Sequence, residues 1–351
     1  MKEIRFCLLH PYAKDEKSAL DYLQIQELSS KYKFIWDQDS PDYLIASEQI
    51  YTNKKLYKDF KAIYKKSKIA IFFTREAQTP DYNIFDYAIS FDSHLFFSDR
   101  FVQLPTAFDL YPAFVSKKQN DIVNIEDATR ELNIKTGFCN FLYSNPKAHP
   151  MRDRLFYSLS KYKKVDSLGR HLNNANIQGT GYKGHESDCV KLKERYKFSI
   201  ASENASFPGY TSEKILTSLA AHTIPIYFGD PEVEEIFNPR CFINVNKYKS
   251  LDEVVQTIKE IDEDEDAWKQ IIMEPWQTPD QVLKSQERLS NYISFFDKLF
   301  IHDCNDEVKR PIGCRPDMYL DFFNNVHMRQ RNKIIISLYK QYQNVRHKLK
   351  F

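Results

Sequence analysis

The segment YKFSIASENASFPGYTSEKILTSLAAHTIPIYFG, from Tyr196 to Gly229, decides the fold. Residues 197–202 form an apolar-rich run of strand length, and Ile215, Leu216, Leu219 and Ala220 recur at helical spacing on one face. Residues 223–228 form a second apolar run, so the segment reads as strand, helix and strand, the βαβ unit of a parallel sheet. The intervening loop carries Pro208 and Gly209, which break regular structure and let backbone approach a ligand. Thr211 or Ser212 can cap the helix, which puts Glu213 and Lys214 in its first turn. Free N–H groups at a helix start attract an anion, and a lysine there adds a full charge, so a phosphate is the natural occupant. Glu213 would repel a phosphate but can accept from the paired hydroxyls of a ribose. A lone Glu-Lys pair is most simply a solvated feature of a capped helix. Together, though, such a lysine and carboxylate at one helix start also suit a nucleoside diphosphate.

The chain has 351 residues, which suggests two domains. Its 42% hydrophobic and 28% charged content suit a globular protein, and a net charge of +2 gives no global case for nucleic acid. Cysteines 7, 139, 189, 241, 304 and 314 form no Cys-x-x-Cys pair, which argues against zinc and for reduced thiols in a cytoplasmic setting. The apolar run 6–9 is too short for a signal peptide or a membrane span.

In chain order, strands are expected over 4–10, 32–36 and 43–46, a helix over 14–31 and an amphipathic helix over 54–66. A buried strand over 68–73 then runs into Thr74-Arg75-Glu76. Ligands in open α/β sheets collect beyond the carboxyl ends of strands, which puts Glu76 where chemistry is expected. Residues 109–118 read as a linker and 121–132 as a helix. The strand 138–143 ends in Ser144-Asn145-Pro146, and a helix starting at Met151 carries Arg152 and Arg154. Residues 173–189 read as a polar loop near the nucleotide, 241–245 as a last strand, and 250–261, 264–273 and 281–300 as helices around the second domain. The domains are set at 1–120, 121–300 and a C-terminal helical segment, 301–351.

Two regions resemble the α1,3/4-fucosyltransferases of bacterial type. In one, 69–92, a strand ends in Glu76 and is followed by Pro80 and Phe85-Asp86-Tyr87-Ala88-Ile89. In the other, 138–248, Asn145-Pro146, Arg152, Val165-Asp166 with Gly169, Tyr196-Lys197-Phe198, Glu203-Asn204, Tyr210 and Glu213-Lys214 follow the family pattern. The resemblance implies an α/β fold of GT-B type, two Rossmann-like domains facing across a cleft, the first for acceptor and the second for GDP-fucose. It implies that Glu76 is the general base. Arg152, with Arg154 as its rival, and Lys214 would hold the diphosphate, and Glu213 the ribose. Asn204 and Tyr210 would lie in the phosphate and fucose region, and Glu203 would support the loop or touch fucose. Arg75 departs from the pattern, where glycine is common; it can pair with Glu76 or read a charged acceptor.

The implied reaction is an inverting transfer of fucose, with α1,3 or α1,4 linkage, to an N-acetyllactosamine-type glycan of a bacterial surface polysaccharide. No cofactor is required on this reading, with Mn2+ at most a stimulant. The alternatives are a transferase of another nucleotide sugar and a non-catalytic scaffold at a membrane surface. From Phe322 onward the chain has seven Lys or Arg and no acidic residue, interleaved with Ile334, Ile335, Ile336 and Leu338. Such a tail can form an amphipathic helix on anionic lipid, which places the protein in the cytoplasm, peripheral on the inner face of the membrane. A solvated, partly docked terminal helix serves the same residues equally well.

Overall fold

The computed structural model describes residues 1–175, 186–311 and 318. Both the basic tail from Phe322 and much of the polar loop before Cys189 lie outside the described residues. The first lobe opens with β1 (Lys2–Leu9), α1 (Glu16–Leu23), β2 (Tyr32–Trp36), β3 (Tyr43–Ser47) and α2 (Lys54–Tyr64). It continues through β4 (Ile69–Phe73), β5 (Tyr87–Ser90) and β6 (Phe101–Gln103). Every residue of β3, β4 and β5 is buried, which is why these strands read as unbroken apolar runs: the sheet is covered on both faces. The expected helix over 14–31 is cut short. Asp15 caps α1, and Gln24 then takes a left-handed conformation that ends it.

Next come α3 (Ala107–Leu110), α4 (Pro112–Gln119) and α5 (Ile125–Ile134), followed by β7 (Gly137–Phe141), α6 (Met151–Tyr162), β8 (Val165–Ser167) and α7 (Glu186–Lys193). The βαβ unit is β9 (Tyr196–Ser202), α8 (Glu213–Ala220) and β10 (Ile224–Phe228). The described chain then gives β11 (Ile243–Asn244), α9 (Leu251–Glu263), α10 (Glu265–Met273) and α11 (Pro279–Ile301). Strand order is β2-β1-β3-β4-β5-β6 in one sheet and β11-β10-β9-β7-β8 in the other, with every pairing parallel. Pro225 survives in β10 because β11 pairs only with Ile226 and Tyr227, so a donor missing on that side breaks no ladder bond.

The lobes exchange segments, which corrects the expected division. The stretch 109–118, expected as a linker, is helical: Phe108 and Val115 pack with Ile215, Leu216 and Leu219 of α8. Conversely α11, expected around the second domain, sends Tyr292, Phe296, Leu299 and Phe300 into the core of the first, against Phe34, Tyr43 and Ile71. Arg288 of α11 also donates to the buried Asp109 at 2.9 Å. Each helix therefore ties one lobe to the other. No helix among the described residues is long and apolar enough to cross a membrane.

Candidate active site

The carboxyl ends of both sheets face one cleft, and the loop 203–212 crosses it. Gly209 makes the crossing possible: its φ is +80°, and a Cβ there would stand 2.1 Å from the Phe91 carbonyl oxygen. The next residue, Tyr210, is 1% exposed, and its ring packs edge-on to Phe91, 5.4 Å away, inside the core of the opposite lobe. Asp230, in the turn after β10, fastens the loop by accepting from Gly209 N–H at 2.9 Å and Thr211 Oγ1 at 2.8 Å. At the rim, Ser93 Oγ donates to Glu232 at 2.6 Å, and His94 pairs with the same carboxylate. The hydrogen bond that His94 donates to Glu232, followed by the charge of that carboxylate, raises the His94 pKa.

Glu76 lies just past β4, exposed to the cleft, its backbone N–H donating to Thr74 Oγ1 at 3.0 Å. Oε2 of its carboxylate accepts from Tyr210 Oη at 2.9 Å and from Asn204 Nδ2 at 3.4 Å. Asn204 in turn accepts from Arg152 Nη2 at 2.8 Å. Arg152 is 1% exposed; it also donates to the Ser202 carbonyl at 2.9 Å and lies 4.0 Å above the Tyr143 ring. Its Nε is buried and has no hydrogen-bond partner among the described residues. Arg154, two residues further round α6, is exposed and lines an outer groove of about 460 Å³ with Tyr157, Lys161 and Lys249. Of the two arginines only Arg152 joins the chain of contacts that reaches Glu76.

Arg75 does not pair with Glu76. Its guanidinium donates to the Tyr22 carbonyl at 2.7 Å and stacks on the Tyr22 ring at 4.6 Å, and that ring also stacks on His10 at 4.0 Å. Burial, followed by the Arg75 charge, pushes the His10 imidazole down to about 4.

The start of α8 differs from a vacant anion site. Ser212 is its N-cap by position, but the hydroxyl donates instead to Glu203, which is fully buried and also accepts from Ser212 N–H at 2.9 Å. Lys214 Nζ lies 3.1 Å from Glu203 Oε2 and 3.6 Å from Glu213 Oε1. Burial would lower the Lys214 pKa, but Glu203 and Glu213 together hold it well above the usual lysine range. Burial raises the Glu203 carboxyl against the opposing pull of Lys214. Glu213, its side chain 45% exposed, is held below the usual range, where Lys214 and Lys193 outweigh the cost of burial. Gly229 leaves room for Glu203, since a Cβ there would stand 2.4 Å from its Cγ.

Lys193 is a buried cation that sequence reasoning missed. Its Nζ donates to Thr217 Oγ1 at 2.9 Å and Ser218 Oγ at 3.0 Å, and burial pushes its pKa down to about 8. It lies in Lys191-Leu192-Lys193-Glu194-Arg195, a run that looks solvated, and only the docking of α7 on α8 turns it inward. Among the described residues no group of three or more His, Cys, Asp or Glu could hold a metal ion. A larger groove, about 490 Å³ between β6 and α11, contains none of these residues and lies apart from the cleft.

Two family models match the chain: "Alpha-(1,3)-fucosyltransferase FucT N-terminal domain" over residues 13–111 and "Glycosyltransferase family 10 (fucosyltransferase) C-term" over 132–304. An α-(1,3)-fucosyltransferase of Helicobacter pylori is 31% identical over 264 residues, 66% of this chain and 53% of that protein, so the chain spans about half the relative's length. An α-(1,4)-fucosyltransferase of Arabidopsis thaliana is 28% identical over 142 residues, 36% of this chain and 35% of that one. The crystal structure of an α1,3-fucosyltransferase with GDP superposes with a TM-score of 0.65 at 25% identity, covering 88% of this chain and 93% of that one. With the two facing parallel sheets of a GT-B fold and both family models on one chain, the protein belongs to the fucosyltransferases of glycosyltransferase family 10.

Proposed function

We propose that the protein transfers fucose from GDP-fucose to a hydroxyl of a GlcNAc-containing glycan, with inversion at the anomeric carbon. One observation carries the reading. A carboxylate of the first lobe, Glu76, faces across the cleft toward a cation cluster of the second, to which Asn204 joins it through Arg152. In the proposed step Glu76 takes the proton of the acceptor hydroxyl as that oxygen bonds to the anomeric carbon, and the bond from this carbon to the diphosphate breaks on the opposite face. Arg152 and Lys214 hold the departing phosphates and offset the charge that grows on them, with Lys193 behind; Glu213 accepts from the ribose hydroxyls.

These cations supply what a divalent ion would otherwise provide, and transfer is expected to persist in EDTA. Relatives named for α-(1,3) and for α-(1,4) linkage leave both open here. An N-acetyllactosamine glycan of a bacterial surface polysaccharide is the proposed acceptor class. The test offers GDP-fucose, UDP-sugars and CMP-sugars in turn with N-acetyllactosamine and follows the product by NMR. A β-linked donor sugar appearing as α-linked fucose is the expected result, and turnover confined to a UDP- or CMP-sugar would overturn the reading.

A further inference from the structure

Tyr210 has one hydroxyl and no free face. Its ring is closed into the core of the first lobe beside Phe91, so stacking on a sugar is not open to it. The hydroxyl is spent on Glu76 Oε2, the same oxygen that Asn204 Nδ2 approaches. We infer that Tyr210 and Asn204 are positioning residues for Glu76 rather than contacts to fucose: they hold Oε2 from the donor lobe and leave Oε1 to take the acceptor proton.

The inference rests on Glu76 being the base. Two donors on one oxygen fix the carboxylate plane, and exposed Glu76 has no side-chain donor from its own lobe among the described residues. Both donors come from the loop that crosses the cleft, so the base is aimed only while the lobes are together. Asn204 accepts from Arg152 with the other end of the same amide, which joins the arginine proposed for the diphosphate to the carboxylate proposed for the proton.

Tyr210→Phe keeps the packed ring and removes only the donor. Its kcat should fall roughly 10- to 100-fold, the scale of a slightly misaimed group, while KM for GDP-fucose stays unchanged. Asn204→Asp keeps the acceptor for Arg152 and removes the second donor to Oε2 in a side chain of nearly equal size, so kcat should fall again with KM for GDP-fucose unchanged. A raised KM for GDP-fucose with kcat intact in Tyr210→Phe would make Tyr210 a donor-binding residue and overturn the inference. So would an undiminished kcat in both variants. Glu76→Gln separates the two levels. Should it retain turnover, the base reading itself falls; should it be inactive while Tyr210→Phe and Asn204→Asp match the wild type, only the positioning role falls.

Discussion

Replacing Lys214 by methionine separates what this lysine does for the fold from what it does for the nucleotide. In the folded protein its ammonium lies 3.1 Å from a Glu203 carboxylate that is fully buried and, among the described residues, otherwise held only by Ser212. Lys214→Met therefore strands a buried charge, and losing one member of such a pair costs about 3–5 kcal/mol. Adding Glu203→Gln removes the stranded charge, and a neutral pair of similar volume is close to neutral for stability. The phosphate contact proposed for Lys214 is not restored by the second change. Losing a charged hydrogen bond costs about 1.5–3 kcal/mol, or about 10- to 150-fold in Kd. Urea unfolding and GDP calorimetry on the single and double variants read the two effects. Stability should fall and then recover, while GDP affinity falls and stays low. Recovery of GDP affinity in the double variant, or a single variant as stable as the wild type, would refute the reasoning.

Arg152→Ala should lose GDP affinity by a similar factor, whereas Arg154→Ala, on the outer face of α6, should leave it unchanged by calorimetry; the reverse pattern would make Arg154 the phosphate ligand. Gly209→Ala cannot seat a Cβ at φ +80° against the Phe91 carbonyl, so the loop should detach from the first lobe, with transfer lost and a cost of about 1–3 kcal/mol in unfolding. His10, 6% exposed with a pKa near 4, binds a proton in the unfolded chain near 6.5 but not in the folded one until about 4. Its contribution is thus full above pH 6.5 and lost as pH falls through about 4, a loss of about 3 kcal/mol by pH 4. His10→Asn, which keeps an acceptor for Tyr12 N–H, should flatten that slope in acid denaturation, and an unchanged slope would count against a neutral buried imidazole.

The βαβ unit was legible because its signals are local. Two strands of buried residues, a helix with one apolar face and a loop with Pro208 and Gly209 each follow from neighbouring residues, and β9, α8 and β10 formed within a residue or so of expectation. Periodicity also found α11, but an apolar face records only that something covers it. Whether Phe296 meets the near sheet or the far one is a property of the assembled chain, which is why the domain division missed the exchanged helices. The same limit applied at the cleft. Glu76, Arg152, Glu213 and Lys214 could be picked out by residue type and pattern, but not the pairing of Lys214 with Glu203, the burial of Lys193 or the turn of Arg75 toward Tyr22. Each of those depends on a hydrogen bond or stack between residues that the sequence keeps apart or gives no reason to join.

The central claim is that a first-lobe carboxylate does proton chemistry on a nucleotide sugar held by the second lobe. Glu76→Gln keeps the size of the side chain and removes the basic oxygen, while Arg152 and Lys214 are untouched. Side-by-side measurement of fucose transfer and GDP affinity should show turnover reduced by about 10²- to 10⁴-fold with GDP bound as tightly as before. Undiminished transfer, or equal loss of both, would contradict the account.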